Sequence, residues 1–171
     1  ELGFPVVVKA LGVAHKTEAG GVRLGLHSAE EVSTAVTEIS DLSDYFLIEK
    51  MIEGVVSELI IGVARDAQFG PTIMFGMGGV FVELFKDVSF RIAPFGEEVA
   101  LDMIKETKGY RVLLGMRGEG QKDIESLVKL LVQVSQLAAR YPQIKEVDLN
   151  PIRVYEKGYS VLDARILLDA E

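Results

Sequence analysis

From residue 46 to residue 93 the chain is a succession of short apolar runs joined by turns too short to hold a helix. That spacing confines it to neighbouring strands paired antiparallel. "FLIEKMI" (46–52) and "SELIIGVAR" (57–65) flank Glu53-Gly54, and "TIMF" (72–75) follows the turn "DAQFGP". The glycine loop "GMGG" (76–79) then leads to "VFVELF" (80–85) and "VSFRIA" (88–93). "EVDLNPIRVY" and "YSVLDARILL" close the chain as a hairpin around Lys157-Gly158. Before residue 46, Pro5 to Ala10 is a continuous apolar run expected to be a strand buried on both faces. "VRLGL" from Val22 follows as a second strand after the Gly20-Gly21 turn.

Helices are fewer. Ser28 with Glu31 three residues later is a capping box, predicting a helix from Ala29 to Ile39. Glu97 to Lys108 and Ile124 to Tyr141 are also expected to be helical. The second carries apolar residues at 124, 127, 128, 131, 134, 137 and 138, the spacing of one buried stripe. The pattern is α+β, with a lobe boundary expected near Glu49 to Gly54: residues 1–50 on one side, 51–171 on the other.

Composition narrows the function. The 171 residues carry a net charge of -8, which argues against a nucleic-acid backbone or an anionic membrane as main partner. With no cysteine, thiolate chemistry and disulfides are out. No apolar run reaches the roughly 18 residues of a membrane span, and a cytoplasmic location is the default. The opening "ELGFP" reads as a helix end passing straight into a strand, so a preceding helical layer is expected.

Five features could carry chemistry. Lys9, at a strand end, can neutralise phosphate oxygens as a point charge or simply snorkel to water. His15 and Lys16 lie in the loop ending at Gly20-Gly21, where a histidine can bind phosphate, relay a proton or accept a phosphoryl group. Gly76, Gly78 and Gly79 sit between two strands, as a tight hairpin or as a flap whose backbone covers phosphates. Asp148 and Asn150 alternate onto one strand face and Asp163 comes from the facing strand, an oxygen set suited to Mg²⁺. Glu49 and Glu58, inside apolar strands, need a ligand, an arginine or solvent as partner.

"GFPVVVKALGVAHKTEAGGV", "EKMIEGVVSELIIGVARD", "FGPTIMFGMGGVFVEL", "VSFRIAPF", "LLGMRG" and "EVDLNPIRV…VLDAR" resemble the ATP-grasp domain of NDP-forming acyl-CoA synthetases. The acetyl-CoA synthetase β-subunit type is nearer and the succinyl-CoA synthetase β type more distant. The resemblance implies an ATP-grasp fold of two lobes, with a mainly antiparallel sheet in the larger one and its N-terminal part missing here. It implies ATP/ADP and Mg²⁺ as cofactors and the reaction acyl-CoA + ADP + Pi ⇌ acid + CoA + ATP. It also implies a hetero-oligomer, whose CoA-binding and ligase subunit or domain carries another phosphohistidine.

Carried over residue by residue, Lys9 matches the lysine on the nucleotide phosphates, and Glu49, Met51 and Ile52 a segment beside adenine and ribose. Glu58 matches a nucleotide-site acid, Gly78 and Gly79 the loop near the phosphates, and Asn150 and Asp163 the Mg²⁺ ligands. His15 matches a second phosphohistidine of the acetyl branch. Arg91 and Arg117 fall in family motifs, with phosphate anchoring and subunit contact both open. Two other readings also fit: an ATP-grasp ligase that activates a carboxylate directly, and a nucleotide-sensing module of an acyltransferase.

Overall fold

The computed structural model describes residues 2–13, 16–52, 58–78, 86–115 and 120–169. The chain divides into two compact units, Glu1–Gly54 and Val55–Glu171.

In the first unit, β1 (Val6–Ala10) is the centre of a three-stranded antiparallel sheet between β2 (Val22–Leu26) and β3 (Phe46–Lys50). Val6, Val7, Val8 and Ala10 are all buried, as the continuous apolar run requires. Helix α1 (Ala29–Glu38) covers the Val8 side, where Val8, Ala10 and Ile39 form the core with Val32 and Val36. Its start is the capping box: the Ser28 hydroxyl accepts from Glu31 N at 3.1 Å, and the Glu31 carboxylate reaches back to His27 N at 2.7 Å. Gly21 is required by close approach, because a Cβ there would lie 3.2 Å from the Lys16 carbonyl oxygen.

The second unit is an antiparallel sheet ordered β6-β5-β4-β7-β8, with β9 also paired to β7. Its strands are β4 (Glu58–Asp66), β5 (Gly70–Met77), β6 (Val88–Ile92), β7 (Ile144–Val154), β8 (Tyr159–Val161) and β9 (Ala164–Leu168). Helices α2 (Glu97–Glu106), α3 (Tyr110–Leu113) and α4 (Ile124–Arg140) complete it. Alternation in β4 buries Leu59, Ile61 and Val63 beside Ile73 and Phe75 of β5. The α4 stripe Leu127, Leu131, Val134 and Ala138 joins the same core. Each large side chain so buried stabilises the unit by about 1.5–3 kcal/mol.

The antiparallel, strand-rich architecture is as expected, and the differences are local. Strand β5 runs from Gly70, longer than "TIMF", because it pairs with β4 along its whole length. Helix α2 stops at Glu106, where the Thr107 backbone is extended. The short α3 had no sequence signal. The final strand is broken at Leu162-Asp163, so that β8 and β9 pair with successive halves of the long β7. The expected strand over 80–85 lies outside the described residues.

Candidate functional site

In the first unit, antiparallel register sets Glu49 opposite Val7 and Leu47 opposite Lys9. Lys9 and Glu49 are therefore diagonal neighbours on the sheet face away from α1, and they form an ion pair. The Lys9 side chain is only 12% exposed: its stem is covered and its ammonium is held by the carboxylate. Glu49 has Lys9 as its partner, although at 38% exposed its side chain is not buried as its place in an apolar run suggested. Met51 continues the pairing past β3, donating its N–H to the Pro5 carbonyl at 2.9 Å, while its sulfur accepts from Gly25 N at 3.1 Å. Ile52 is half-buried beside it in sequence. The N–H groups of Gly20 and Gly21 close the turn onto the carbonyls of Thr17 and Lys16 at 3.2 and 2.6 Å, so neither is aimed at a ligand. His15 lies outside the described residues.

In the second unit, four strands bring Gly78, Glu58, Arg153 and Ser160 into one row. Glu58 pairs with Arg153, and Arg153 with Ser160, by register. Gly78 donates its N–H to the Glu58 carbonyl at 2.7 Å. A Cβ at Gly78 would sit 3.1–3.3 Å from the Glu58 main chain and Cβ, which accounts for glycine there. The Glu58 carboxylate receives the Arg153 guanidinium at 3.1 Å, with side chains 35% and 21% exposed. Gly79 lies outside the described residues.

Three residues back from Arg153 along β7, Asn150 donates its backbone N–H to the Asp163 carbonyl at 3.1 Å. This bond forms where β7 changes partner from β9 to β8, and the break in the last strand is what turns Asp163 toward Asn150. Asp163 also steadies the corner by accepting from Ala164 N at 3.1 Å. Burial, and then the charges of Glu146 and Asp163, push the Asp148 carboxyl up from its ordinary value, with Arg165 opposing them. Among the described residues, no three His, Asp or Glu form a closed cage.

Arg91, for which two roles stood open, is engaged elsewhere. It forks onto the Glu106 carboxylate of α2 and donates to the Phe90 carbonyl at 2.8 Å, tying β6 to that helix. Arg117 lies outside the described residues. Sequence reasoning missed Arg153, whose only signal was its place three residues after Asn150. It also missed Asp87, whose carboxylate accepts from Lys108 N and Gly109 N, both at 2.7 Å. Asp87 thereby pins the start of β6 to the turn before α3.

The ATP-grasp domain family matches residues 1–168. The chain is 43% identical over 178 residues to subunit beta of the ADP-forming acetate–CoA ligase I of Pyrococcus furiosus, covering 98% of this chain and 77% of that one. It is 44% identical to the ADP-forming acetate–CoA ligase I of Archaeoglobus fulgidus, covering 99% of this chain and 26% of that protein. The chain therefore spans about a quarter of that longer relative. Among solved structures, it superposes with a TM-score of 0.86 at 49% identity, over 98% of this chain and 78% of the other, on the dinucleotide forming acetyl-coenzyme A synthetase 1 of Ca. Korarchaeum cryptofilum. That structure is a complex with coenzyme A and Mg-AMPPCP, its phosphohistidine segment pointing towards the nucleotide binding site.

Proposed function

The chain belongs to the ATP-grasp domain family, and on that premise we propose that it is the nucleotide-binding part of an ADP-forming acyl-CoA synthetase. The observation that carries the reading is the likeness over 98% of the chain to a synthetase in complex with Mg-AMPPCP and coenzyme A. The complete enzyme converts acyl-CoA, ADP and phosphate into acid, CoA and ATP. In the cytoplasm, a CoA-binding and ligase partner, as a subunit or as a further domain, forms the acyl phosphate by attack of phosphate on the thioester with loss of CoA. The partner's own histidine takes the phosphoryl group as the acid leaves. Residues 1–50 supply part of the first ATP-grasp subdomain and 51–171 the second.

Phosphoryl transfer is mostly positioning and neutralisation of charge. Lys9 contributes its ammonium to the nucleotide phosphates, with its stem already ordered by burial and its head held near Glu49. The Met51 and Ile52 backbone lies beside adenine, and Glu58 accepts from a hydroxyl or amine of the nucleotide. Gly78 and Gly79 let main chain approach the phosphates. Asn150 and Asp163 hold Mg²⁺, which when bound offsets charge on the phosphate oxygens. His15 is the phosphoryl relay: a neutral imidazole nitrogen attacks the γ-phosphorus, the bond to the bridging oxygen breaks, and ADP leaves with the electron pair. The reverse step makes ATP.

The test is an assay of the complete enzyme purified from its source. Acyl-CoA cleavage that requires both ADP and phosphate is the expected result; nucleotide binding without turnover overturns the reading. Labelled ATP with Mg²⁺ should leave an acid-labile label that is lost in His15→Ala. Unchanged labelling in that variant removes His15 from the relay.

A further inference from the structure

Asn150 and Arg153 are three residues apart, which in a regular strand puts their side chains on opposite faces. The register shows otherwise. Leu149 faces Ile61 and Ile152 faces Leu59, so β7 carries one more residue than β4 across this interval. Leu59, Ile61 and Ile152 are fully buried on the helix side and Leu149 packs against the same core. The bulge therefore brings Arg153 to the face that bears Asn150 and Glu58.

Among the described residues, two other arginine–carboxylate pairs tie a strand to a helix: Arg23 of β2 to Glu38 of α1, and Arg91 of β6 to Glu106 of α2. A third, Arg165 of β9 with Glu146 of β7, spans paired strands but is wide at 3.9 Å and well exposed. The Arg153–Glu58 pair joins two strands that the backbone ladder already joins. It adds no topological tie, and a partly exposed ion pair adds little to folding stability. What it does determine is the direction of the Glu58 carboxylate. Glutamate has three rotatable side-chain bonds. The guanidinium on Oε1 selects among them, and among the described residues no hydrogen bond engages Oε2, whose lone pairs can accept from a ligand donor. The base of the same carboxylate is steadied from the other side by Gly78 N on the Glu58 carbonyl.

We propose that Arg153 is a positioning residue for nucleotide binding, holding the Glu58 carboxylate toward a hydroxyl or amine donor of the nucleotide; this rests on Glu58 being a nucleotide-site acid.

The test is a double-mutant cycle in the complete enzyme, with ADP as the probe. Glu58→Gln and Arg153→Met are each expected to raise the ADP Kd and KM about tenfold, with kcat moving far less. The double variant is expected to bind no worse than Glu58→Gln alone, since the arginine acts through the glutamate. Arg153→Lys, which keeps the charge and loses the fork, should fall between, about threefold weaker than the parent. If Arg153→Met does not fold, Arg153→Lys carries the same cycle. Losses that multiply in the double variant overturn the proposal, because they place Arg153 on the ligand itself. An unchanged ADP Kd in the Arg153 variants, with Glu58→Gln weakened, also overturns it and leaves the Glu58 reading intact. An unchanged Kd in Glu58→Gln instead removes the Glu58 reading, and the proposal with it.

Discussion

On the proposed function, Lys9 is structural and chemical at once. Its methylenes are covered on the central strand, so the ammonium has few rotamers left, and Glu49 selects among them. A phosphate that displaces or shares that carboxylate meets a cation ordered in advance. Lys9→Met should therefore lower ADP-dependent kcat/KM by about 100-fold, the scale of losing one preorganised charge contact; a loss below threefold removes Lys9 from the phosphates. Gly78→Ala forces a Cβ within 3.1 Å of the Glu58 main chain. It is expected to weaken ADP binding about three- to tenfold with the melting temperature little changed, because the contact sits at the end of a strand. Asn150→Ala and Asp163→Asn should each raise the Mg²⁺ concentration for half-maximal activity by about tenfold or more, measured by titration at saturating ADP.

At the scale of elements, side chains with no sequence motif fix where strands and helices end. Arg65 on β4 donates to the carbonyls of Ile144, Ala138 and Tyr141 at 2.6–2.8 Å. It closes the C-terminus of α4 and the start of β7 together. Arg65→Met removes its donors from all three carbonyls, although the Tyr141 carbonyl still accepts from Ile144 N at 3.1 Å, and should cost about 2–3 kcal/mol in denaturant unfolding. A cost below 0.5 kcal/mol, about the noise of a surface change, makes the clamp ornamental. Gly109 is a second such position, since a Cβ there would lie 2.1 Å from Met77 Cγ. The sequence announced the capping box of α1 and the stripe of α4, because both are local patterns. The Arg65 clamp, the Asp87 anchor and the β7 bulge depend on residues far apart in the chain, so periodicity carries no trace of them.

For the molecule as a whole, net charge of -8 makes the acid limb of stability informative. Backbone N–H groups of Gly158 and then Ser126 hold the Asp123 carboxyl below its ordinary value. Those of Phe69 and Gln68 do the same for Asp66, and the Arg91 guanidinium for Glu106. Each group binds a proton less readily folded than unfolded. Its contribution is complete above the unfolded value of about 4 and is lost as pH falls through the depressed folded value. Through these three groups the melting temperature should fall as pH drops below about 5, with the raised Asp148 carboxyl contributing the opposite slope. Asp123→Asn, which keeps a cap acceptor and loses the charge, should flatten that fall; an unaltered acid limb would refute the assignment.

By itself the sequence determined the α+β class, the antiparallel pairing, the buried central strand and the residues worth testing at Lys9, Glu49, Glu58, Gly78, Asn150 and Asp163. Each of these follows from local periodicity, from turn chemistry or from motifs that lie contiguous in the chain. Only the tertiary structure decided that Glu49 and Glu58 answer to Lys9 and Arg153, that Gly78 rests on Glu58, and that a break in the last strand delivers Asp163 to Asn150. Register is the reason. One extra residue in β7 changes which side chains share a face, and that is set by pairing with strands some 90 residues away.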